Sequence, residues 1–239
     1  MSDNILRISL ITPTYNEREN ISLLAEEIFD VLKDYPDIDL ELIVVDDNSP
    51  DGTGEVAKSL VEHYPVQVVH RAGKLGLGSA VMAGFERAER DLLGVIDADL
   101  SHDPIVLPQL IYGLRDHDLA IGSRFDSESH VEKWAWYRRF ISQLGVFLAR
   151  KLTGVQDPLA GYFFLHRRVI KDMALTSPGY KIILEILVKG HYESFIEVPF
   201  VFRNRQYSSS KLNWTEYYLF LKQLLTFYFL RKKTNADNK

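Results

Sequence analysis

The chain has 239 residues, of which 46% are hydrophobic and 26% charged, a composition typical of one globular domain. It carries 28 lysines and arginines against 33 aspartates and glutamates, and this net charge of −5 argues against a nucleic-acid partner. The absence of cysteine excludes disulfides, thiolate metal sites and cysteine nucleophiles. We expect neither a secretory signal nor an apolar run that crosses a membrane comfortably.

The first half of the chain alternates short apolar runs with amphipathic stretches. The predicted strands are 8–11, 40–45, 66–69, 92–96 and 119–122. Helices are predicted to begin near Asn16, Gly78 and Asp103, and Glu19 would complete a capping box with Asn16. This rhythm predicts an α/β fold of the Rossmann-like kind, in which a mostly parallel sheet carries helices on both faces.

The pattern changes after about residue 130. Apolar residues at helical spacing predict a helix over 134–152, and Gly154 is a natural residue to end it. A turn at 156–158 is followed by an apolar piece. A helix over 182–189, a strand over 195–202 and a last helix from Trp214 complete the prediction.

Polar residues collect where the predicted strands end, at 12–17, 46–52, 97–103 and 123–124. In parallel α/β sheets, ligands bind in the crevice at the carboxyl ends of the strands. We therefore expect a ligand site at this edge of the sheet.

Asp97 and Asp99 stand one residue apart directly after an apolar strand. Two such carboxylates can hold one divalent ion together, or one can hold a ribose and the other the metal. With oxygen donors and no cysteine, Mg²⁺ or Mn²⁺ is the expected ion. The alternative is a solvated turn, and the acidic run 46–52 can equally be a polar turn or a site for a base or ribose. His70 and His102 lack metal-ligand spacing, and we interpret both as ordinary surface histidines.

Several motifs in one order resemble the family-2 inverting glycosyltransferases of the GT-A fold; they lie at 12–17, 46–53, 73–80 and 97–104. Further segments resemble the members of that family that move mannose from GDP-mannose to a polyprenyl or dolichyl phosphate; these are 122–125, 138–142, 157–163, 197–199 and 205–212. The glycine-rich run 73–80 alone matches neither a Walker loop nor a dinucleotide fingerprint. The resemblance implies a GT-A catalytic domain over residues 1–212.

The resemblance also implies roles for individual residues. Those implied to hold the nucleotide of the donor are Pro13, Tyr15, Glu17, Asp47, Asp97 and Asp99. Those implied to hold the donor diphosphate are Arg205 and Lys211, with the metal at Asp97 and Asp99. Those implied to hold the acceptor phosphate are Arg124, Arg138 and Ser142. The implied catalytic residues are Asp99, Arg124, Arg205 and Lys211. At one position the chain departs from the family, with Ser101 where glutamine is common, and there we expect a water between the hydroxyl and the metal.

The chemistry implied by the resemblance agrees with the residues present. A phosphate acceptor is already an anion at neutral pH, so no general base is needed, and none stands out in the sequence. Two alternatives stay open. One is a family-2 transferase that uses UDP-glucose or another sugar nucleotide with a polyprenyl phosphate or another acceptor. The other is a non-catalytic module that binds sugar nucleotides, which would be expected to lack Asp97 and Asp99 or Arg205 and Lys211.

Residues 213–239 are predicted to form an amphipathic membrane-associating helix and a basic tail. Residues 214–230 would span about 26 Å as a helix, short of a bilayer core of about 30 Å. A narrow polar stripe opposes a broad aromatic and leucine face, and a basic cluster follows at 231–233. We expect peripheral or interfacial binding to the cytoplasmic face of a membrane. The alternatives are a helix packed on the protein's own core and a helix docked on a small membrane subunit.

Overall fold

The structure, a computed structural model, describes residues 5–124, 136–173, 175, 181–203, 223–224 and 226–228, with the backbone alone over 136–144. The strands in these residues are β1 Leu6–Thr14, β2 Ile38–Asp46, β3 Val66–His70, β4 Leu92–Val95, β5 Leu119–Ser123, β6 Phe163–His166 and β7 Phe195–Pro199. The α-helices in the same residues are α1 Arg18–Leu32, α2 Thr53–Leu60, α3 Leu77–Arg87, α4 Leu107–Gly113, α5 Trp136–Thr153 and α6 Ile182–Lys189. Short 3₁₀ turns cover Pro104–Val106 and Arg167–Ile170.

The described strands form a single sheet in the order β3-β2-β1-β4-β6-β5-β7. β6 runs antiparallel to both of its neighbours, and the other strands run parallel to one another. β1 and β2 pair along their whole length, from Leu6 opposite Ile38 to Thr14 opposite Asp46. The predicted mostly parallel α/β sheet is confirmed.

Helices cover both faces of the sheet, as predicted. Alternate residues of a strand point to opposite faces, so Leu10 packs in the core under α1, α2 and α4. The next residue, Ile11, packs in the core under α3 and α6. Both side chains are fully buried, and each such leucine or isoleucine contributes roughly 1.5–3 kcal/mol to stability. Burial on both faces explains why the central strands read as continuous apolar runs.

β6 is the strand that the sequence did not predict, since it was read only as an apolar piece after the turn at 156–158. It pairs antiparallel between β4 and β5, with Phe163 opposite both Val95 and Ile121. A strand of four residues buried on both faces shows no alternation that would mark it. Its antiparallel direction brings the residues before Phe163 to the carboxyl edge of the parallel strands.

Two predicted boundaries are wrong for local reasons. The predicted capping box does not form, because Asn16 adopts φ 59° and the helix is flanked instead by Glu17, whose side chain makes no capping hydrogen bond. The strand predicted over 195–202 ends at Pro199, which lacks a backbone N–H. The end of α5 is as predicted, with Gly154 at φ 78°.

The C-terminal helix is described only at residues 223–224 and 226–228, which are helical. Leu224 and Phe227 are each 4% exposed and pack against α5 and α6, next to Ala149 and Leu184. At these two positions, the face predicted to meet lipid is used to pack on the protein itself. No helix in the described part of the chain is long and apolar enough to cross a membrane. The predicted boundary between residues 212 and 213 lies outside the described residues.

Candidate active site

The carboxyl edge of the sheet collects the polar segments that the sequence predicted there. β1, β2, β4 and β5 all end at this edge because they run in the same direction. β6 begins there because it runs the other way, which adds the turn at 156–158 to the edge. Five chain segments that carry these polar residues therefore converge at this edge of the sheet.

The loops after β1 and β2 are tied together by hydrogen bonds. The backbone N–H groups of Glu17 and Arg18 donate to the Thr53 hydroxyl at 2.9 Å and to Asp51 Oδ2 at 3.2 Å. The N–H of Asn16 donates to the Ser49 hydroxyl at 3.0 Å. The loop after β2 thus satisfies the N–H groups of the two residues before α1 and of its first residue, Arg18, where the predicted capping box is absent. Pairing between two loops holds the candidate nucleotide-binding residue Glu17 beside the end of β2.

Asp47 organises the glycine-rich loop that follows β3. Its two carboxylate oxygens accept hydrogen bonds from the Arg71 guanidinium at 2.6 Å and from the Leu75 N–H at 3.1 Å. The same loop carries Lys74, whose ammonium lies 4.2 Å from the centre of the Tyr15 ring. The structure therefore brings two predicted nucleotide-binding residues, Tyr15 and Asp47, to one loop. Arg71 was missed by the sequence analysis, and its position one residue after β3 is the signal that could have found it.

Asp97 and Asp99 follow β4, and Asp99 is 8% exposed. The N–H and the hydroxyl of Ser101 both donate to Asp99 Oδ1, at 3.1 and 2.5 Å. The chain can turn back tightly from Asp99 to Ser101 because Leu100 adopts a left-handed conformation with φ 61°. The Ser101 hydroxyl thus orients Asp99. The described residues contain no group of three histidine or acidic side chains that could hold a metal. The two hard carboxylates fit Mg²⁺ or Mn²⁺ only if other ligands come from the donor phosphates or water.

His102 is part of this site and not a surface histidine, so its predicted interpretation is wrong. It is 3% exposed, and its Nδ1 accepts the backbone N–H of Asp97 at 3.1 Å. Burial lowers the pKa of the imidazole, although the carboxylates of Asp97 and Asp99 oppose this, so the ring is neutral with its proton on Nε2. The ring stacks on Tyr162 at a centroid distance of 5.0 Å. A side chain at Gly161 would meet Asp97 at 2.8 Å, which explains the glycine there. His70, by contrast, is exposed, as predicted.

Arg124 stands at the end of β5 and faces the acidic side chains. Its guanidinium pairs with both oxygens of Asp157, with Nε at 2.7 Å and Nη2 at 2.9 Å. Burial works against the charge, but the hydrogen bonds and charge of Asp157 and the charge of Asp97 raise the pKa of Arg124. The carboxylate of Asp97 therefore lies close enough to Arg124 to act on it electrostatically. The acidic pair and Arg124 therefore stand at the same edge of the sheet.

Some predicted residues are not described by the structure. Arg205 and Lys211 lie outside the described residues. Arg138 and Ser142 belong to α5, but their side chains lie outside what the structure describes. The described segment after β7 ends at Arg203, whose N–H donates to the Ser101 carbonyl at 3.0 Å. The Arg203 guanidinium lies 2.7 Å from Asp103 Oδ1, so the segment is fixed against the acidic motif.

The family model described as glycosyl transferase family 2 matches residues 9–174. These residues contain most of β1, all of β2 to β6 and the acidic pair, and they cover most of the chain. The chain therefore belongs to glycosyl transferase family 2.

Three curated relatives within this family share one name. The dolichol-phosphate mannosyltransferase of Pyrococcus furiosus is 41% identical over 92% of this chain, which spans 63% of that relative. The protein of the same name from Saccharomyces cerevisiae is 35% identical over 96% of this chain and 90% of the relative. That of Mycosarcoma maydis is 35% identical over 93% of this chain and 79% of the relative. The resemblance drawn from the motifs is confirmed at the level of whole sequences.

Solved structures confirm the GT-A fold. Mannosyl-3-phosphoglycerate synthase from Rubrobacter xylanophilus has a TM-score of 0.71 at 21% identity, over 92% of this chain and 73% of that one. Glucosyl-3-phosphoglycerate synthase from Mycobacterium tuberculosis in complex with UDP has a TM-score of 0.70 at 20% identity, over 92% and 79%. The latter protein was also crystallised with Mn²⁺ and UDP-glucose. At this level of identity, the likeness establishes the fold alone.

Proposed function

We propose that the chain is an inverting hexosyltransferase that moves mannose from GDP-mannose to a dolichyl or polyprenyl phosphate. One observation carries the proposal: the acidic pair Asp97 and Asp99 and the arginine Arg124 share one edge of a GT-A sheet. The names of the relatives supply the sugar and the lipid acceptor. An acidic pair suits a nucleotide diphosphate with its cation, and an arginine suits a second phosphate beside it.

The donor nucleotide is assigned to the loops after β1 and β2. Pro13, Tyr15 and Glu17 follow one another at the end of β1, and Asp47 stands at the end of β2. Contacts between these loops and the 73–78 loop hold Tyr15 and Asp47 in place before a ligand arrives. Such preorganisation lowers the entropy lost on binding.

The cation is assigned to Asp97 and Asp99. A bound Mg²⁺ or Mn²⁺ supplies charge stabilisation for the diphosphate that leaves. Ser101 keeps Oδ1 of Asp99 oriented through two hydrogen bonds. His102 accepts the Asp97 N–H and so fixes the backbone that carries the first carboxylate. We assign Arg205 and Lys211 to the same diphosphate on the family resemblance.

The acceptor phosphate is assigned to Arg124, together with Arg138 and Ser142. One oxygen of the acceptor phosphate bonds to the anomeric carbon while the bond from that carbon to the GDP oxygen breaks, and GDP leaves with the electron pair. The nucleophile is already an anion, since the second pKa of a phosphate monoester is about 6, so no general base is required. Direct displacement inverts the anomeric centre and converts an α-linked donor into a β-linked product.

A panel of donors and acceptors tests this function. Purified protein is given GDP-mannose, GDP-glucose, UDP-glucose or UDP-galactose, each radiolabelled in the sugar, with polyprenyl phosphate, dolichyl phosphate or 3-phosphoglycerate. We expect label in the lipid phase with GDP-mannose and either lipid phosphate. Transfer only from a UDP-sugar, or only to the soluble acceptor, would overturn the proposed substrates. Binding without any transfer would favour the non-catalytic alternative.

We also propose that the chain binds the cytoplasmic face of a membrane peripherally, as a lipid acceptor requires. Support comes from exposed apolar side chains near the C-terminal helix. Tyr228 is 56% exposed, and Phe147 and Leu148 on α5 are 53% and 43% exposed. The Lys151 ammonium lies 5.3 Å from the Phe147 ring and suits an anionic headgroup. A small membrane subunit is the alternative occupant of this surface.

Liposome flotation tests the membrane proposal. Tyr228→Ser and Phe147→Ser should each reduce the fraction that floats with vesicles of phosphatidylcholine and phosphatidylserine. Val61→Ser is the matched control, because Val61 is 52% exposed at the end of α2. Equal flotation of all three variants would overturn the assignment of this surface. No flotation of the wild type would favour the membrane subunit.

A further inference from the structure

Asp157 has no role in the proposed function so far, although it belongs to a motif that the sequence analysis singled out. It lies in the turn before β6 and is 13% exposed as a side chain. Both of its oxygens accept hydrogen bonds from the Arg124 guanidinium, and the Arg124 N–H donates to Oδ2 at 3.3 Å. Such bidentate pairing adds geometric specificity to the ion pair as well as strength.

The turn that carries Asp157 is itself fixed by a second carboxylate. Glu197 on β7 accepts the Asp157 N–H at 3.0 Å. It also accepts the Gln156 N–H, at 2.9 Å to Oε2. β7 pairs with β5, and Ile121 lies opposite Glu197 in that ladder. Three neighbouring strands, β5, β6 and β7, therefore determine where the Asp157 carboxylate stands.

The pair has a consequence for an anion that binds Arg124. A free arginine attracts phosphate strongly but can present its guanidinium in many orientations. Asp157 cancels the charge of Arg124 and holds the Nε and Nη2 edge. Affinity for phosphate is thereby lowered while the remaining N–H groups point in one direction. Burial opposes its charge, but hydrogen bonds from Arg124 lower the pKa of Asp157, so the pair stays ionised at neutral pH.

We propose that Asp157 is a positioning residue for transfer to the acceptor phosphate, acting through the guanidinium of Arg124. This inference rests on the proposed function, since it takes Arg124 as the group that binds the acceptor phosphate. Asp157 favours a productive orientation of the bound phosphate and lowers the affinity of Arg124 for it. A residue that served only the fold would have no such opposed effects.

Asp157→Asn tests this directly, because asparagine keeps the shape but loses the charge. We expect kcat to fall by about tenfold to a hundredfold, because the guanidinium is no longer held in orientation. The KM for polyprenyl phosphate should stay the same or fall, since Arg124 then attracts the phosphate without a neighbouring carboxylate. The KM for GDP-mannose should not change. A rise in acceptor KM with unchanged kcat would overturn the inference.

A double-mutant cycle shows whether the effect passes through Arg124. In an Arg124→Lys background the bidentate fork is absent, so adding Asp157→Asn should change kcat by less than about twofold. An undiminished loss in that background would overturn the inference. Glu197→Gln is a second variant, which should show a smaller loss of kcat in the same direction because one of its two oxygens is replaced. Unchanged kcat in both Asp157→Asn and Glu197→Gln would also overturn it.

Asp118 supplies a matched control. It is also 13% exposed, and it pairs with Arg168 at 2.7 Å, but at the opposite edge of the sheet. Asp118→Asn should lower stability and leave both kinetic constants unchanged. Thermal unfolding of every variant separates loss of fold from loss of position. If the wild type transfers no sugar to a lipid phosphate, the proposed function has failed. If it does so and Asp157→Asn behaves like Asp118→Asn, only this inference has failed.

Discussion

Charged side chains lie at both edges of the sheet, but the acidic pair Asp97 and Asp99 and the arginine Arg124 lie at the carboxyl ends of the parallel strands. At the amino ends, charged groups bind backbone groups and one another. Arg167 at the amino edge donates to the carbonyls of Ala88 and Arg90 at 2.8 and 2.6 Å and closes the end of α3. Asp118 accepts the N–H groups of Glu193 and Ser194. These contacts tie neighbouring elements together and stabilise the fold. The same residue types therefore stabilise the fold at one edge and form the candidate active site at the other.

Strained backbone conformations are also distributed unevenly between the two edges of the sheet. Among the described residues, the non-glycine residues with positive φ are Asn16, Asn48, Leu100 and Asp172. The first three follow β1, β2 and β4 at the carboxyl edge. Each costs on the order of 1 kcal/mol, which the surrounding hydrogen bonds offset. Backbone strain is thus concentrated at the edge that carries the candidate site.

The largest difference between the edges should appear on removing one carboxylate from each. Asp99→Asn should lower transfer by about a thousandfold or more, because the leaving diphosphate loses charge stabilisation. Asp118→Asn should leave transfer unchanged at neutral pH. Steady-state rates with GDP-mannose and polyprenyl phosphate make the comparison, with circular dichroism as the check on folding. Undiminished wild-type turnover in excess chelator would contradict the proposed cation.

Arg124→Ala should give the next largest effect and show that the carboxyl edge is divided between two substrates. The acceptor KM should rise by about tenfold to a hundredfold, since charge-assisted hydrogen bonds to phosphate are lost. The KM for GDP-mannose should stay nearly constant. Arg168→Ala at the amino edge is the matched control and should change neither constant. A collapse of nucleotide affinity in Arg124→Ala would show that the site is partitioned differently.

The contribution of Asp118 at the amino edge should appear in the pH dependence of the free energy of unfolding. Hydrogen bonds from the Glu193 N–H, and then from Ser194 and Arg168, outweigh burial and lower the pKa of Asp118 from 3.8 to about 2. A carboxyl whose folded pKa is depressed stabilises the protein above its unfolded pKa and loses that stability as pH falls towards the folded pKa. Asp118→Asn should therefore cost about 1–2 kcal/mol at pH 7. The difference from wild type should shrink between about pH 3.8 and pH 2. Urea unfolding across this range measures it, and a constant difference would contradict the assignment.

The smallest effect concerns strain at the carboxyl edge. Asn48 has φ 55° and an exposed side chain, so Asn48→Gly should leave the free energy of unfolding nearly unchanged. Asn48→Ala should destabilise by about 1 kcal/mol, because alanine tolerates the left-handed region poorly. Both variants lack the asparagine side chain, so the difference between them measures the cost of the left-handed conformation. Equal stability of the two would show that this turn is not strained.

Local pattern was enough to predict most of the sheet. The apolar runs at β1 to β5, separated by amphipathic stretches, predicted parallel strands whose polar ends share one edge. Asp97, Asp99 and Arg124 were found this way, since a strand end is visible in a window of a few residues. Arg71 and Asp157 were given no role, because the partners that explain them, Asp47 and Arg124, are distant in sequence.

The sequence by itself determined the α/β class, the position of the site edge and the family motifs, since each depends on periodicity or on residues close in the chain. Tertiary structure decided which groups meet. β6 inserts antiparallel between β4 and β5, and that direction carries Asp157 to Arg124. His102 becomes buried because Tyr162 stacks on it. Leu224 packs on α5 and α6. The amphipathic pattern of the sequence alone is equally consistent with a helix face that contacts lipid. These outcomes follow from contacts between distant residues, whose burial and pairing free energies no local window contains.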